Sequence, residues 1–281
     1  MHKSQWHEIS GIDHGLLREA RLQAHYGVQW LARAARAYIA PLPDDAHTNL
    51  GWDDELPGLV THPLPRGPLI ALNMRVLALD LRDGPRRTST RSIRLDGCRD
   101  ADIRAWLGEE LAACGFDTEA LDAPSPYQIP DHPLGHGAAY ATGGLGEALA
   151  GLVAWYANAD CVLAQARQRL VARGVAPPPV RCWPHHFDLD SLLALAAPPR
   201  TVGLGFSPGD EYYDQPYFYV SAYPPPPDVT ALPSLPPIGH WQTHHFTAAV
   251  AVADRIIAAS DPQAATAAFV SAAADILIPR T

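Results

Sequence analysis

The chain has 281 residues, of which 47% are hydrophobic and 18% charged, and this composition excludes an intrinsically disordered protein. Its formal net charge of -9 argues against a nucleic-acid-binding protein, because neutralising phosphates requires a clustered Lys/Arg surface. The longest apolar tract, residues 145–163, is interrupted by Glu147, Asn158 and Asp160 and therefore does not predict a membrane span.

The cysteines and the first residues indicate where the protein is located. The four cysteines are scattered without a C-x-x-C pair, so no zinc knuckle or redox motif is indicated. The first fifteen residues lack the apolar core of a secretory signal. We therefore expect a cytoplasmic protein with reduced thiols.

The first half of the chain predicts a helix, three strands and a second helix. Apolar residues at helical spacing and period-two alternation predict a helix over residues 16–39, strands over 59–61, 69–81 and 88–95, and a helix over 100–114. Pro41 ends the first helix because proline cannot continue it, and Gly115 ends the second.

The second half predicts the same order followed by an additional helix. The predicted elements are a helix over residues 145–173, strands over 180–192, 201–206 and 217–223, and helices over 243–259 and 262–278. Asp261 as N-cap and Pro262 at the first position mark the start of the last helix. Phe246 and Phe269 belong to two apolar stripes, which predict that the last two helices pack as an antiparallel hairpin.

These elements predict an α+β fold in which antiparallel β-sheet is covered by helices. We interpret residues 1–281 as a single globular unit. Both halves run helix, three strands, helix. This repeated order agrees with an internal gene duplication, in which residues 15–116 and 145–281 would be the two similar halves. The Pro/Gly-rich residues 117–144 would then connect them.

The segment from Trp183 to Tyr223 crowds imidazole and carboxylate groups among aromatic residues, which predicts a functional site. If residues 180–192 form one strand, His186 and Asp188 share a face, with backbones roughly 7 Å apart. Both side chains could then converge on one metal ion or one substrate proton. The predicted catalytic residues are His186, Asp188 and Glu211, the predicted metal ligands are His186 and Asp188, and the predicted ligand-binding residues are Tyr217, Tyr219, Tyr223, His244 and His245.

Three interpretations of this cluster stay open at this point. A mixed nitrogen and oxygen site would suit zinc, manganese or iron, although the chain lacks an H-E-x-x-H motif. The cluster could instead line a metal-free polar pocket, or it could be purely structural. The tyrosine face of strand 217–223 suits a ligand pocket, and cross-strand aromatic packing explains it equally well. The cofactor is unknown.

Several motifs resemble those of a widespread bacterial family known only as a domain of unknown function. The strongest are Phe187-Asp188-Leu189, Gly205-Phe206-Ser207-Pro208-Gly209 and Tyr217-Phe218-Tyr219-Val220-Ser221-Ala222-Tyr223-Pro224. The chain departs from that pattern at His185-His186, where relatives carry small residues, so the double histidine is specific to this branch. The resemblance implies a fold and no assigned activity.

The sequence therefore predicts a protein with a small-molecule pocket. Such a pocket could perform metal-assisted or acid/base catalysis. The alternative is a non-catalytic binding or assembly protein whose apolar helices form a homodimer. Neither nucleic acid nor a membrane is an expected partner.

Overall fold

The computed structural model describes residues 6–9, 11, 13–84, 88–196 and 199–278. Within these residues the helices are α1 (His14–Tyr38), α2 (Asp100–Ala113), α3 (Gly146–Ala172), α4 (Ala253–Ile257) and α5 (Pro262–Leu277). The strands are β1 (Gly51–Asp53), β2 (Gly58–Val60), β3 (Leu69–Asn73), β4 (Ala78–Asp83), β5 (Thr88–Arg94), β6 (Arg181–Trp183), β7 (Asp188–Ala196), β8 (Pro199–Ser207), β9 (Tyr217–Tyr223), β10 (His240–Gln242) and β11 (Ala248–Val252). The predicted α+β class is confirmed.

The described residues fall into two compact units. We call Gly11–Val153 with Cys182–Phe187 the N-terminal unit, and Met1–Ser10 with Ala154–Arg181 and Asp188–Thr281 the C-terminal unit. The chain passes from one unit to the other within α3, after Val153.

The N-terminal unit contains an antiparallel sheet in which the strands follow chain order from β1 to β5. Helix α1 packs against β3, and α2 packs against β5. Asp13 caps α1, because its carboxylate accepts a hydrogen bond from the Leu16 backbone N–H at 2.9 Å. The predicted apolar stripe of α1 is buried, with Val28, Leu31 and Ala35 at 0% exposure.

A buried ion pair stabilises the first hairpin of this sheet. Arg82 of β4 donates to Asp53 of β1 at 3.0 Å, and both side chains are less than 10% exposed. The other carboxylate oxygen of Asp53 accepts from the backbone N–H groups of Glu55 and Leu56, at 3.0 and 3.3 Å. One carboxylate therefore both neutralises a buried guanidinium and satisfies two N–H groups of the turn between β1 and β2.

The C-terminal unit contains a sheet in the order β10-β11-β9-β8-β7-β6, and its pairs from β10 to β7 are antiparallel. Its apolar face packs against helices. Phe206 of β8 contacts Trp155 and Tyr156 of α3, with ring centroids 6.1 and 5.4 Å apart. Helix α5 packs against β8, β9 and β11, and buries Phe269 and Val270 completely. The predicted N-cap of α5 is confirmed, because Asp261 accepts from the Ala264 N–H at 2.9 Å.

The predicted strand over residues 69–81 is wrong, because these residues form the hairpin of β3 and β4. The two strands are joined by a turn over residues 74–77, in which Leu77 adopts a φ of 42°. This left-handed φ is disfavoured for residues with a Cβ and is usually adopted by glycine. Because a leucine occupies the position here, the sequence does not mark the turn. Strand β1 was also missed.

The predicted strand over residues 180–192 is interrupted in the same way. Strands β6 and β7 are separated by a turn over residues 184–187, which ends with Phe187 at a φ of 59°. His186 lies exposed in this turn, so the prediction that it shares a strand face with Asp188 is wrong. Asp188 is the first residue of β7.

The predicted helix over residues 243–259 is also wrong. Residues 248–252 form β11, which pairs along its whole length with β9, and only the short α4 follows it. The predicted antiparallel pairing of two long terminal helices therefore does not exist. His244 and His245 lie exposed in the loop between β10 and β11, and not at a helix N-terminus.

Candidate functional site

Strands β7, β8 and β9 of the C-terminal unit carry polar side chains on the face opposite to Phe206 and Phe218. Residues paired directly across an antiparallel sheet project to the same side. Asp190 pairs with Gly205, and Gly205 pairs with Tyr219. We call this surface the tyrosine–carboxylate face; its members are Asp188, Asp190, Gly203, Gly205, Ser207, Tyr217, Tyr219 and Ser221.

Tyr219 and Asp188 form the central contact of this face. The Tyr219 hydroxyl donates to the Oδ2 atom of Asp188 at 2.5 Å, a short distance for a hydrogen bond to a carboxylate. Burial, and then the negative charge of Asp188, raise the pKa of Tyr219 well above its ordinary value. The phenol therefore keeps its proton at neutral pH and holds the Asp188 carboxylate in place.

Asp190 is the most unusual side chain of the face. It is only 8% exposed, and its Oδ1 atom has no hydrogen-bond partner in the part of the chain that the structure describes. Burial, with the nearby charge of Asp188, raises the pKa of Asp190 well above its ordinary value. The carboxyl group of Asp190 therefore keeps its proton to a higher pH than an ordinary aspartate, and in this neutral form it can donate that proton.

Two glycines make room for these side chains. A Cβ atom on Gly205 would lie 2.2 Å from the Cζ atom of Tyr219, and a Cβ atom on Gly203 would lie 3.0 Å from Oδ2 of Asp190. The Tyr219 ring therefore lies directly against Gly205, where β8 presents no side chain, and close packing explains the glycine at both positions.

A second tyrosine–acid pair extends the face towards the loop after β8. The Tyr217 hydroxyl donates to Oδ2 of Asp210 at 2.5 Å. The other oxygen of Asp210 accepts from the backbone N–H groups of Tyr212 and Tyr213, at 2.8 and 2.9 Å. The Tyr213 ring lies 4.9 Å from that of Tyr217, and its hydroxyl lies 3.1 Å from Nε2 of His240.

This arrangement offers two kinds of polar group on one surface. A neutral acid at Asp190 can donate a hydrogen bond or a proton to an acceptor atom. The Asp188 carboxylate, oriented by Tyr219, can accept a hydrogen bond from a hydroxyl or an amine. A buried acid whose pKa is raised by its surroundings, as that of Asp190 is, is typical of functional sites.

The structure places the other predicted site residues differently. Glu211 lies exposed in the loop after β8 and interacts with Tyr212, whereas Asp210 is the acid of that loop that reaches the tyrosines. Tyr223 is 77% exposed at the end of β9. His245 stacks on Tyr212 at a ring distance of 5.3 Å. The roles predicted for these residues, and for His186 and Asp188, stay predictions.

Asp190 and Asp210 belong to the segment from Trp183 to Tyr223, but the sequence prediction gave them no role. The signal for Asp190 was its two-residue spacing from Asp188, which places both on one face of β7. The signal for Asp210 was its position directly after Gly209, where an Asp that accepts from the following N–H groups is common.

The described residues contain no group of three or more His, Cys, Asp or Glu side chains that could hold a metal ion. A metal bound by His186 and Asp188 would need further ligands from solvent or substrate.

The histidines of the turn between β6 and β7 form an aromatic cluster within the N-terminal unit. The His185 ring lies 4.3 Å from that of His186 and 5.5 Å from that of Tyr127. Burial, and then the proximity of His186, lower the pKa of His185 to about 4. Within the described residues His185 makes ring contacts and no hydrogen bond, whereas the buried His25 of α1 does make one. The Nε2 atom of His25 lies 2.8 Å from the Pro184 carbonyl oxygen.

The stability of this unit should fall in mild acid because of His25. Burial lowers its pKa to about 4, so between pH 6.5 and 4 the unfolded chain binds more protons than the folded protein. The stabilisation is complete above pH 6.5 and falls by up to about 1.4 kcal/mol per pH unit as the pH approaches 4. His25→Gln should flatten this dependence in urea unfolding at pH 5 and pH 7.5, whereas His244→Gln, on an exposed loop, should not. Equal pH dependence in wild type and His25→Gln would contradict the assignment.

The fold and the site define an α+β protein with a polar, partly buried face on one of its two sheets. Residues 195–276 match the model of a family of unknown function, DUF5996. The match runs from the end of β7 into α5 and confirms the predicted resemblance to an uncharacterised family. Neither a curated protein nor a solved structure matches the chain. Over the described residues, no helix has the length and apolar character needed to cross a membrane.

Proposed function

We propose that the tyrosine–carboxylate face binds a small polar molecule. The observation that carries the proposal is the Oδ1 atom of Asp190, which is buried without a hydrogen-bond partner among the described residues. Leaving a buried polar atom unsatisfied costs about 1–3 kcal/mol, so such an atom in a folded protein calls for an explanation, and a ligand provides one.

The chemistry of the face defines the class of ligand. The ligand should carry an acceptor, such as a carbonyl oxygen, for the proton of Asp190. It should also carry a hydroxyl or amine that donates to the carboxylate of Asp188. The rings of Tyr217 and Tyr219 provide an apolar surface of the kind found in ligand pockets.

The same groups could perform acid/base chemistry. Asp190 would then donate a proton to the substrate, and Asp188 would accept one, with Tyr219 as the residue that positions it. Four cysteines without disulfide bonds support a cytoplasmic location for this activity.

The alternative is a non-catalytic homodimer. It was based on apolar terminal helices, but α5 buries its apolar residues against its own sheet and the predicted helix before it is absent. Light scattering on the purified protein tests this alternative directly.

Replacing Asp190 with Leu tests the proposal, because Leu has a similar size and no charge but cannot donate a hydrogen bond. We expect Asp190→Leu to lose binding of amide and polyol fragments in ligand-observed NMR. The stability should not fall, because the raised pKa of Asp190 means that the wild type is progressively destabilised as the pH rises above about 4. The advantage of the variant in unfolding free energy should therefore increase with pH.

Glu109→Gln, on the exposed side of α2, is the matched control and should bind as the wild type does. Fragments that bind equally to Asp190→Leu and wild type, or a library in which nothing binds the wild type, would contradict the proposal.

A further inference from the structure

A cleft of about 180 Å³ lies between α1 and the segment of residues 120–126 in the N-terminal unit. Its lining includes Arg33, Arg36 and Ala37 of α1, and Ala120, Leu121 and Pro124 of the facing segment. Two guanidinium groups therefore meet a wall of alanine, leucine and proline side chains. The function proposed above does not involve this cleft.

The facing segment is fixed at both ends, so the cleft is preformed. Arg104 of α2 makes a two-pronged contact with the carboxylate of Asp122, at 2.6 and 2.8 Å, and donates to the Thr118 carbonyl at 2.7 Å. Beyond the cleft, the Tyr127 hydroxyl donates to Oε1 of Gln29 at 3.0 Å. A cleft with walls held in this way requires little ordering when a ligand binds.

The charges around the cleft leave one cation unbalanced. Arg33 is paired with Asp100 at 3.5 Å, and Arg104 is paired with Asp122. Arg36 has no carboxylate partner among the described residues; it donates to the Tyr127 hydroxyl at 3.3 Å and lies 5.5 Å from the centre of that ring. A half-buried arginine without an acid partner is notable in a chain with a net charge of -9.

We propose that this cleft binds a small monocarboxylate with an apolar body, and that its carboxylate pairs with Arg36. The planar guanidinium matches the geometry of a carboxylate, and Tyr127 already fixes its orientation. The volume equals on the order of six water molecules at about 30 Å³ each, which suits a molecule of the size of benzoate. A phosphate dianion would need a second unbalanced cation, and none of the described lining residues supplies one.

Titration with sodium benzoate tests the proposal when the methyl groups of Ala120 and Leu121 are followed by NMR. We expect saturable shifts with a Kd on the order of 1 mM, a typical affinity for so small a ligand. Benzamide, which has the same shape without the charge, should bind at least about tenfold more weakly, because it loses a hydrogen bond to a charged group. Inorganic phosphate should be weaker than benzoate by a similar factor.

Three variants separate the site from its surroundings. Arg36→Gln should weaken benzoate binding at least about tenfold, whereas Arg18→Gln, exposed near the start of α1, should leave it unchanged. Ala120→Phe keeps Arg36 and its Tyr127 contact but fills the cleft, so it should abolish binding even if Arg36→Gln proves unstable. Absence of benzoate shifts in the wild type, equal binding of benzamide, or full binding by Ala120→Phe would each overturn the proposal.

Discussion

Asp53→Ala should destabilise the protein by about 3–5 kcal/mol, because it leaves the guanidinium of Arg82 buried without its countercharge. The same substitution removes the acceptor for the N–H groups of Glu55 and Leu56 at the turn between β1 and β2. The loss should appear in urea unfolding at pH 7 as a lower midpoint of the transition.

Two further variants show whether burial is the cause. Asp122→Ala removes an acid whose side chain is 62% exposed, so the loss of its pair with Arg104 should lower the stability far less than Asp53→Ala does. Asp53→Leu combined with Arg82→Met removes both buried charges and should recover much of the stability lost in Asp53→Ala. If Asp53→Ala and Asp122→Ala were equally mild, the pair would not be buried as described.

Gly205→Ala should cost about 1–3 kcal/mol and disrupt the tyrosine–carboxylate face. The new methyl group would lie 2.2 Å from Cζ of Tyr219, so either the ring or the strand has to move. Because Tyr219 orients Asp188, the hydrogen bond between them should lengthen or break. Thermal unfolding measures the stability loss, and fragment binding measures the damage to the face.

The Tyr219→Ser background provides the control. There the alanine at position 205 meets no ring, so Gly205→Ala should cost much less than in the wild type, and the difference is the coupling between the two positions. Gly143→Ala, with open space around its Cα, should be nearly neutral. Equal costs of Gly205→Ala in the two backgrounds would contradict the close contact.

The long helices could be predicted from the sequence because their signals are local. Helices α1, α2, α3 and α5 lie within two residues of their predicted ends, where caps, prolines and glycines mark the boundaries. The turns at residues 74–77 and 184–187 could not, since each ends with a large apolar residue, Leu77 or Phe187, at a positive φ. Burial of these side chains, and not a turn-forming residue, determines where the chain reverses.

Strand β11 shows how long-range pairing overrides local preference. Its sequence, Ala248-Ala249-Val250-Ala251-Val252, is rich in alanine, the best helix former, and predicted a helix. In the protein it lies between β9 and β10, with Ala249 and Ala251 fully buried. Pairing with two neighbouring strands depends on residues that are distant in the sequence. The local periodicity of residues 248–252 therefore does not predict that they form a strand.

The candidate site was predicted in part. The alternation along β9 predicted that Tyr217 and Tyr219 share a face, and in the structure Asp188 lies on that same face. The expected partner of Asp188 was His186, two residues away, but the observed partner is Tyr219, which is 31 positions away. Finding that pair requires the register of β7, β8 and β9, which a single sequence does not specify.

The face joins a segment that the family model recognises to one that it does not. The tyrosines and both glycines lie within residues 195–276, whereas Asp188 and Asp190 precede them. A relative identified by that segment alone is therefore matched over the positions of the tyrosines and glycines, but not over the positions of the two acids. Sorting such relatives by the residues that they carry at the positions of Asp188 and Asp190 in β7 would separate proteins that have both acids from proteins that lack them.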